Sequence, residues 1–160
     1  MNNLVIIGSG AHARRVGYLA RSAGWNIAAF IDEAPDHEAT LLGVAVVANV
    51  ADVDDASKVV VAIGDAKVRS RIQSNLLRRG IECVVLVHPR AWVSPDVKLA
   101  RGTVVLAGAV IESGAEIGEG TILDIGALVD HDVRIGEFCH IKPGTVIESG
   151  VRIEAYAVVR

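Results

Sequence analysis

Aromatic residues are scarce in this 160-residue sequence, at 4% of the total, although hydrophobic residues make up 51%. The apolar side chains are therefore mostly valine, isoleucine, leucine and alanine, and 16 glycines accompany them. This combination favours repeated short strands, or a parallel sheet that is buried on both faces. Cys83 and Cys139, the two cysteines, lie far apart and without CxxC spacing. That arrangement argues against a disulfide framework and against a zinc knuckle.

Membrane, export and nucleic-acid signals are also missing. No apolar run approaches the roughly 20 residues that a membrane-spanning helix requires. The first residues, MNNLVIIGSG, contain no basic region and lead directly into a strand and a glycine turn, which is unlike a signal peptide. The formal net charge is −3 and no lysine or arginine cluster is present, so a nucleic-acid partner is not expected. We therefore expect a cytoplasmic protein without membrane insertion.

Apolar runs and helical patterns alternate over residues 1–88. The predicted strands are Leu4–Ile7, Ile27–Ile31, Val59–Ile63, Val84–Val87 and a weaker one at Val44–Val47. The predicted helices cover His12–Ala23 and Val68–Arg79. Alternation of this kind indicates a small parallel sheet with helices on its faces. Residues 1–88 are therefore predicted to form a Rossmann-like α/β domain.

After residue 88 the helical pattern gives way to a period of six. Every sixth position carries a branched aliphatic residue, and a small or slim residue follows four places later. A long series at fixed spacing outweighs any local pattern, and it predicts a parallel β-helix over residues 89–160, in which three hexads close one triangular coil and glycines allow the tight corners. The aliphatic series is Val93, Leu99, Val105, Ile111, Ile117, Leu123, Val129, Ile135, Ile141, Ile147, Ile153 and Val159.

Two corners of this β-helix depart from the glycine pattern. Asp132 and then Phe138 stand where neighbouring hexads have glycine, and His131 and His140 lie close by. His131 could act as a general base, because an imidazole titrates near neutral pH and an adjacent carboxylate would orient it. A solvated corner with incidental charge is an equally good interpretation.

Zinc coordination between copies of the chain is a weaker alternative. His131 and His140 could supply two ligands to a metal, but the other histidines lie outside the coils. Metal catalysis, for example by a zinc hydratase, is therefore not expected.

The segment Gly8–Ala13 follows a strand and opens a helix, and Asp32 ends the next strand about 20 residues later, as in a phosphate-binding G-x-G-x-x-G/A turn. Amide groups at the helix start favour a pyrophosphate, and the carboxylate can accept hydrogen bonds from a sugar or base. A tight turn without a ligand is the alternative. Because the domain lacks a second mononucleotide-binding half, a nucleotide sugar fits it better than a dinucleotide.

Taken together, these motifs resemble bacterial sugar acyltransferases of the sialic-acid O-acetyltransferase type, including N-acetyltransferases that act on nucleotide-linked 4-amino-sugars. The resemblance covers essentially the whole chain and lies in the joint order of its motifs. These are GSGAHA after the first strand, FIDE at Phe30–Glu33, AIGD at Ala62–Asp65, HPRAWVSP at the junction, and VDHDVRIGEFCHIKPG at Val129–Gly144.

The resemblance implies roles for individual residues. His131 corresponds to the general base, Asp132 to its acidic neighbour, and His140 to a histidine near the acetyl-CoA thioester. The residues implied to contact the nucleotide sugar are Gly10, Ala11, His12, Asp32, Glu33, Gly64, Asp65 and Arg69.

The resemblance also implies a left-handed β-helix, a homotrimer with its active site between two subunits, and acetyl-CoA as acyl donor. The sequence departs from the family pattern at its end, because it stops in mid-hexad at Arg160 and lacks the usual final coils. A truncated chain is one explanation. The alternative function is therefore a trimeric, non-catalytic nucleotide-sugar-binding module with an incomplete acyl-donor site.

Overall fold

The computed structural model describes residues 3–33, 40–53 and 57–160. The chain divides into two compact units, Met1–Val84 and Val85–Arg160, so the division falls slightly before the expected boundary after residue 88. The first unit is an α/β sheet domain and the second a parallel β-helix, which confirms the predicted fold class.

The first unit contains one six-stranded sheet. Its strands are β1 (Asn3–Ile7), β2 (Asn26–Ile31), β3 (Thr40–Leu41), β4 (Val44–Val47), β5 (Lys58–Val61) and β6 (Glu82–Cys83). They lie in the order β3-β4-β2-β1-β5-β6, and all the pairings are parallel except that of β3 with β4. The central strands are rich in valine and isoleucine, as expected for a sheet covered on both faces.

Two helices pack on this sheet, α1 (Ala11–Ser22) and α2 (Ala66–Arg78), and a short 3₁₀ helix covers Val50–Asp52. Both helices begin one or two residues before their predicted starts and end one residue before their predicted ends. α1 buries a stripe that includes Val16 and Leu19, the helical period that its sequence predicts.

The predicted strand Val84–Val87 is confirmed only over Leu86–Val87, and its predicted place in the sheet of the first unit is wrong. That sheet ends with β6 at Cys83, and the next strand, β7 (Leu86–Val87), pairs with Val104–Val105 of the β-helix. The physical reason is the hexad register, because Val87 stands six residues before Val93 and so already belongs to the aliphatic series.

Three parallel sheets form the faces of the β-helix, and their inward side chains make one continuous core. The first face contains β7, β10 (Val104–Val105), β13 (Ile122–Leu123), β16 (His140–Ile141) and β19 (Val158–Val159). The second contains β8 (Trp92–Val93), β11 (Val110–Ile111), β14 (Leu128–Val129) and β17 (Val146–Ile147). The third contains β9 (Lys98–Leu99), β12 (Glu116–Ile117), β15 (Arg134–Ile135) and β18 (Arg152–Ile153).

The corners adopt the left-handed backbone conformation that the glycine pattern predicts. Gly114 and Gly126 have φ values of 74° and 66°. Asp132 and Phe138, which replace glycine, keep the same conformation with φ values of 59° and 54°. A side chain in this region costs roughly 1–2 kcal/mol, so the coil keeps its geometry at both positions in spite of that cost.

Candidate active site

His131 and Asp132 lie at the corner between the second and third faces of the β-helix, after β14 and before β15. Both side chains are exposed, and the Nδ1 atom of His131 lies 2.9 Å from Oδ2 of Asp132. The backbone holds the corner, because the amide of Asp132 donates to the carbonyl of Ser113 and the carbonyl of His131 accepts from Gly150. The predicted pairing of His131 with its acidic neighbour is present in the structure.

Gly114, one coil earlier, leaves the space that the Asp132 carboxylate occupies. A Cβ atom built on Gly114 would overlap Oδ1 of Asp132. No such neighbour surrounds Gly126, which stands at the equivalent place two hexads later. Gly114 therefore has a reason to be glycine beyond its positive φ, and the Asp132 carboxylate has little room to shift towards it.

The surroundings of His131 make its imidazole more basic. The hydrogen bond with Asp132 raises the pKa of His131 most, and the negative charges of Asp130, Asp132 and Glu112 raise it further, against a smaller opposing effect of desolvation. Because a carboxylate only accepts hydrogen bonds, the Nδ1 atom carries the donated proton. The Nε2 atom is then the nitrogen that can accept a proton from another molecule, which is the arrangement of a general base.

His140 occupies a different environment, on β16 in the first face. Its ring is buried, and its Nε2 atom lies 3.0 Å from Oδ2 of Asp124, which is also buried. Sequence reasoning missed Asp124. Its signal was a carboxylate directly after the core strand β13, and the pairing of Ile122 with His140 brings that carboxylate to the histidine.

The structure does not bring His131 and His140 together within one chain. His131 lies at the edge shared by the second and third faces, and His140 lies on the first face. In a triangular prism, that edge is opposite the first face. A single site that used both histidines would therefore need a second copy of the chain.

The first unit contains a cavity of about 840 Å³ at the carboxyl ends of its central strands. In open parallel sheets, ligands bind at this edge where the strand order reverses. Of the predicted residues, the structure places Asp32 and Glu33 in its wall, next to Gly8. The backbone amide and hydroxyl of Ser9 both donate to Oδ2 of Asp32, at 3.0 and 2.6 Å, so one carboxylate oxygen already holds the glycine turn.

Gly10, Ala11 and His12 form the start of α1 as predicted. Gly10 is the residue that precedes the helix, with an ordinary φ of −74°, and a Cβ atom there would meet nothing within 4 Å. Its backbone conformation therefore does not require glycine. Gly10 therefore has open space beside it. It also stands at the N-terminus of α1, where backbone amides favour an anion.

Gly64, Asp65 and Arg69 are close together but do not line the cavity. Arg69 is buried and donates from Nη1 to the carbonyls of Ile63 and Gly64, at 2.7 and 2.9 Å. The Asp65 side chain caps α2 by accepting from the amide of Val68. Within the first unit, these contacts hold the loop after β5.

The cavity wall also includes polar residues that sequence reasoning missed. Arg71 and Asn75 project from α2, and Asn49 lies before the 3₁₀ helix. Arg71 and Asn75 stand four residues apart, so they share one face of the helix. That spacing was the available signal, but it is also typical of a solvated helix face.

Among the described residues, no group of three or more His, Cys, Asp or Glu side chains is arranged to hold a metal ion. Over the same residues, neither helix has the length and apolar character needed to cross a membrane.

Two family models match the sequence, the PglD N-terminal domain over residues 3–76 and the bacterial transferase hexapeptide (six repeats) over residues 114–149. A comparison with curated protein sequences gives no match.

Solved structures resemble the chain over nearly its whole length. One is a histidine-to-asparagine mutant of perosamine N-acetyltransferase from Caulobacter crescentus in complex with CoA and GDP-perosamine. It is 31% identical with a TM-score of 0.85, and the match covers 99% of this chain and 85% of that one.

A second is the acetyltransferase domain of PglB from Neisseria gonorrhoeae in complex with acetyl coenzyme A. It is 30% identical with a TM-score of 0.85, and the match covers 99% of this chain and 82% of that one. WeeI from Acinetobacter baumannii, at 22% identity, a TM-score of 0.84 and coverage of 98% and 80%, shares the fold.

Proposed function

Because the chain belongs to the hexapeptide-repeat acyltransferases that act on bacterial sugars, we propose that it acetylates an amine or hydroxyl of a nucleotide-linked sugar. Acetyl-CoA is the proposed acyl donor and His131 the general base. The observation that carries the proposal is the exposed pair, His131 with Asp132, in which the hydrogen bond fixes Nδ1 and orients the basic Nε2 atom.

The role proposed for His131 follows from the need to remove a proton from the acceptor. An amine or hydroxyl that forms a bond to the acyl carbon must lose a proton as the carbon–sulfur bond to CoA breaks. Nε2 of His131 is the group proposed to take this proton, which the departing CoA thiolate can then accept. Asp132 keeps the ring in the required tautomer and stabilises the imidazolium that forms. Glu112 and Asp130 add negative charge around the same ring. The exposure of the ring allows an acceptor to approach it.

The acyl donor is proposed to lie beside His140. Acetyl-CoA supplies an activated thioester carbonyl, and the residues of the chain have to bind it and hold it in place. His140 fits this task, because its ring is held at Nε2 by Asp124 and about a tenth of its side chain remains exposed. The related perosamine N-acetyltransferase structure contains CoA, and that of the PglB acetyltransferase domain contains acetyl coenzyme A.

The nucleotide sugar is proposed to bind the first unit, so that residues 1–88 act as the nucleotide-sugar-binding domain and residues 89–160 as the acyltransferase domain. The amides of Gly10, Ala11 and His12 at the start of α1 suit a pyrophosphate. Asp32 and Glu33 in the cavity wall suit hydrogen-bond donors of a base or sugar. We assign Gly64, Asp65 and Arg69 to holding the loop beside this site.

We further propose a homotrimer with the active site between two copies. The opposite positions of His131 and His140 within one chain require a second copy for a site that uses both. The second face supplies a surface for assembly, because Trp92, Leu128 and Val146 form an exposed apolar column, which is typical of interaction sites. Light scattering of the purified protein tests the trimer directly. A cytoplasmic location is proposed as well.

The function is tested by incubating the protein with acetyl-CoA and a panel of GDP-, UDP- and dTDP-linked sugars, each with and without a 4-amino group. Mass spectrometry should detect one acetylated product, and CoA release should match its amount. Absence of transfer to every acceptor by a correctly folded protein would contradict the proposal. The comparison of amino and hydroxyl acceptors assigns the acceptor atom.

A further inference from the structure

Asp124 and His140 form a buried ionisable pair that takes no part in the proton transfer proposed for His131. The two side chains come from different coils, and Asp124 follows β13 while His140 belongs to β16 directly alongside. Both are almost completely removed from water. Burial of a carboxylate costs free energy unless it is well paired, so the pair needs an explanation.

The contacts of the Asp124 carboxylate fix its orientation at both oxygens. Oδ1 accepts from the backbone amide of Ile125 at 2.7 Å, and Oδ2 lies 3.0 Å from Nε2 of His140. Since a carboxylate has no proton to give, Nε2 of His140 is the donor. The ring is therefore held in one tautomer and one orientation.

Packing alone does not explain this pair. One coil earlier, the positions equivalent to Asp124 and His140 are Leu106 and Ile122, and both of these apolar residues are buried. The first face thus accepts apolar side chains at these two positions, and an apolar pair would avoid the cost of burying a charge.

We propose that Asp124 is a positioning residue of the acyl-transfer site, which acts by fixing the tautomer and orientation of His140 towards the acetyl-CoA thioester. This inference rests on the proposed function. Preorganised groups lower the barrier because their orientation does not have to be established during the reaction. Asp124 itself does not contact the substrate in this proposal, and its effect passes entirely through the imidazole.

A double-mutant cycle tests the coupling. The variants are Asp124→Leu, His140→Ile and the double variant, which reproduces the apolar pair of the preceding coil. We expect Asp124→Leu to lower kcat/KM for acetyl-CoA by about tenfold or more when His140 is present, and by less than about twofold when His140 is already replaced. Asp124→Asn keeps an acceptor oxygen and should retain most of the activity. Equal losses in both backgrounds would refute the coupling.

Nitrogen NMR of the imidazole rings gives a readout that does not depend on activity. The His140 signal is identified by its loss in His140→Ile, and it should show a proton on Nε2 in the wild type and a mixture of tautomers in Asp124→Leu. An unchanged tautomer in Asp124→Leu contradicts the proposal even if the wild type transfers no acetyl group. If the tautomer changes but no acceptor is acetylated, the positioning stands and the proposed function is what fails.

Discussion

The β-helix contains two pairs of a histidine and an aspartate with nearly the same geometry and opposite surroundings. The nitrogen–oxygen distance is 2.9 Å for His131 with Asp132 and 3.0 Å for His140 with Asp124. In the first pair the side chains are 56% and 72% exposed, and in the second 10% and 2%. An exposed imidazole can exchange its proton with an acceptor and with solvent, whereas a buried one serves best as a fixed hydrogen-bonding group. The two pairs therefore differ in burial more than in distance, and burial is what distinguishes the proposed base, His131, from the proposed positioned group, His140.

The largest effect is expected from His131→Asn, which removes the basic nitrogen and keeps a polar side chain of similar shape. Loss of a general base lowers the rate by about 10²- to 10⁴-fold, so kcat should fall by that factor. The thermal midpoint should change little, because the ring is exposed. His88→Asn, elsewhere in the β-helix unit, is the matched control and should keep its activity. Full activity of His131→Asn would remove the exposed pair from the mechanism.

The second-largest loss of activity is expected when the space beside Asp132 is filled. Gly114→Ala and Gly126→Ala introduce the same methyl group at the same positive φ, and each should cost about 1 kcal/mol of stability. In Gly114→Ala, however, the new Cβ atom overlaps the Asp132 carboxylate and displaces it from His131. We expect kcat to fall about tenfold in that variant alone. Equal activities of the two variants would show that the position of Asp132 does not matter.

A smaller effect is expected in the pH dependence of kcat/KM. Asp132 and the other carboxylates raise the pKa of His131, so the base is protonated and inactive up to a higher pH than usual. In Asp132→Asn the hydrogen-bonded charge is lost, the pKa of His131 falls, and the acidic limb of the profile should move to lower pH. The plateau should also be lower, because the imidazolium loses its partner. A limb that stays in place or moves to higher pH would contradict the assignment.

The smallest effect is on stability. Asp132 adopts φ of 59° in a place where neighbouring hexads have glycine. Asp132→Gly should therefore raise the free energy of unfolding by up to about 1 kcal/mol, measured by denaturant unfolding, while it lowers activity. A clear loss of stability would mean that the carboxylate contributes more to the fold than its backbone conformation costs.

The fold and the exposed pair were predictable because their signals are local or periodic. The aliphatic period of six defines the β-helix. The pairing of His131 with Asp132 follows from their neighbouring positions in the sequence. The predicted strand Val84–Val87 was assigned to the wrong sheet for a related reason, because Val87 follows the hexad period and Leu86–Val87 therefore belongs to the β-helix.

Contacts between coils were not predictable in the same way. Asp124 and His140 are 16 positions apart in the sequence, and they meet only after the coils stack and bring them to one face. Arg71 and Asn75 line the cavity only because α2 packs beside the strand ends. In each case the partner of a polar residue is set by tertiary packing. In the sequence, such a residue looks the same as a polar residue on a solvated surface.

Complementation between inactive variants shows whether the exposed pair of one copy and the buried pair of another form one active site. His131→Asn and His140→Ile are each expected to have little activity alone. When the two variants are co-expressed and assemble at random, about a quarter of the sites between copies should contain both native histidines. We expect recovery of roughly that fraction of wild-type activity. No recovery in mixed assemblies, shown by differential tags to contain both variants, would contradict it.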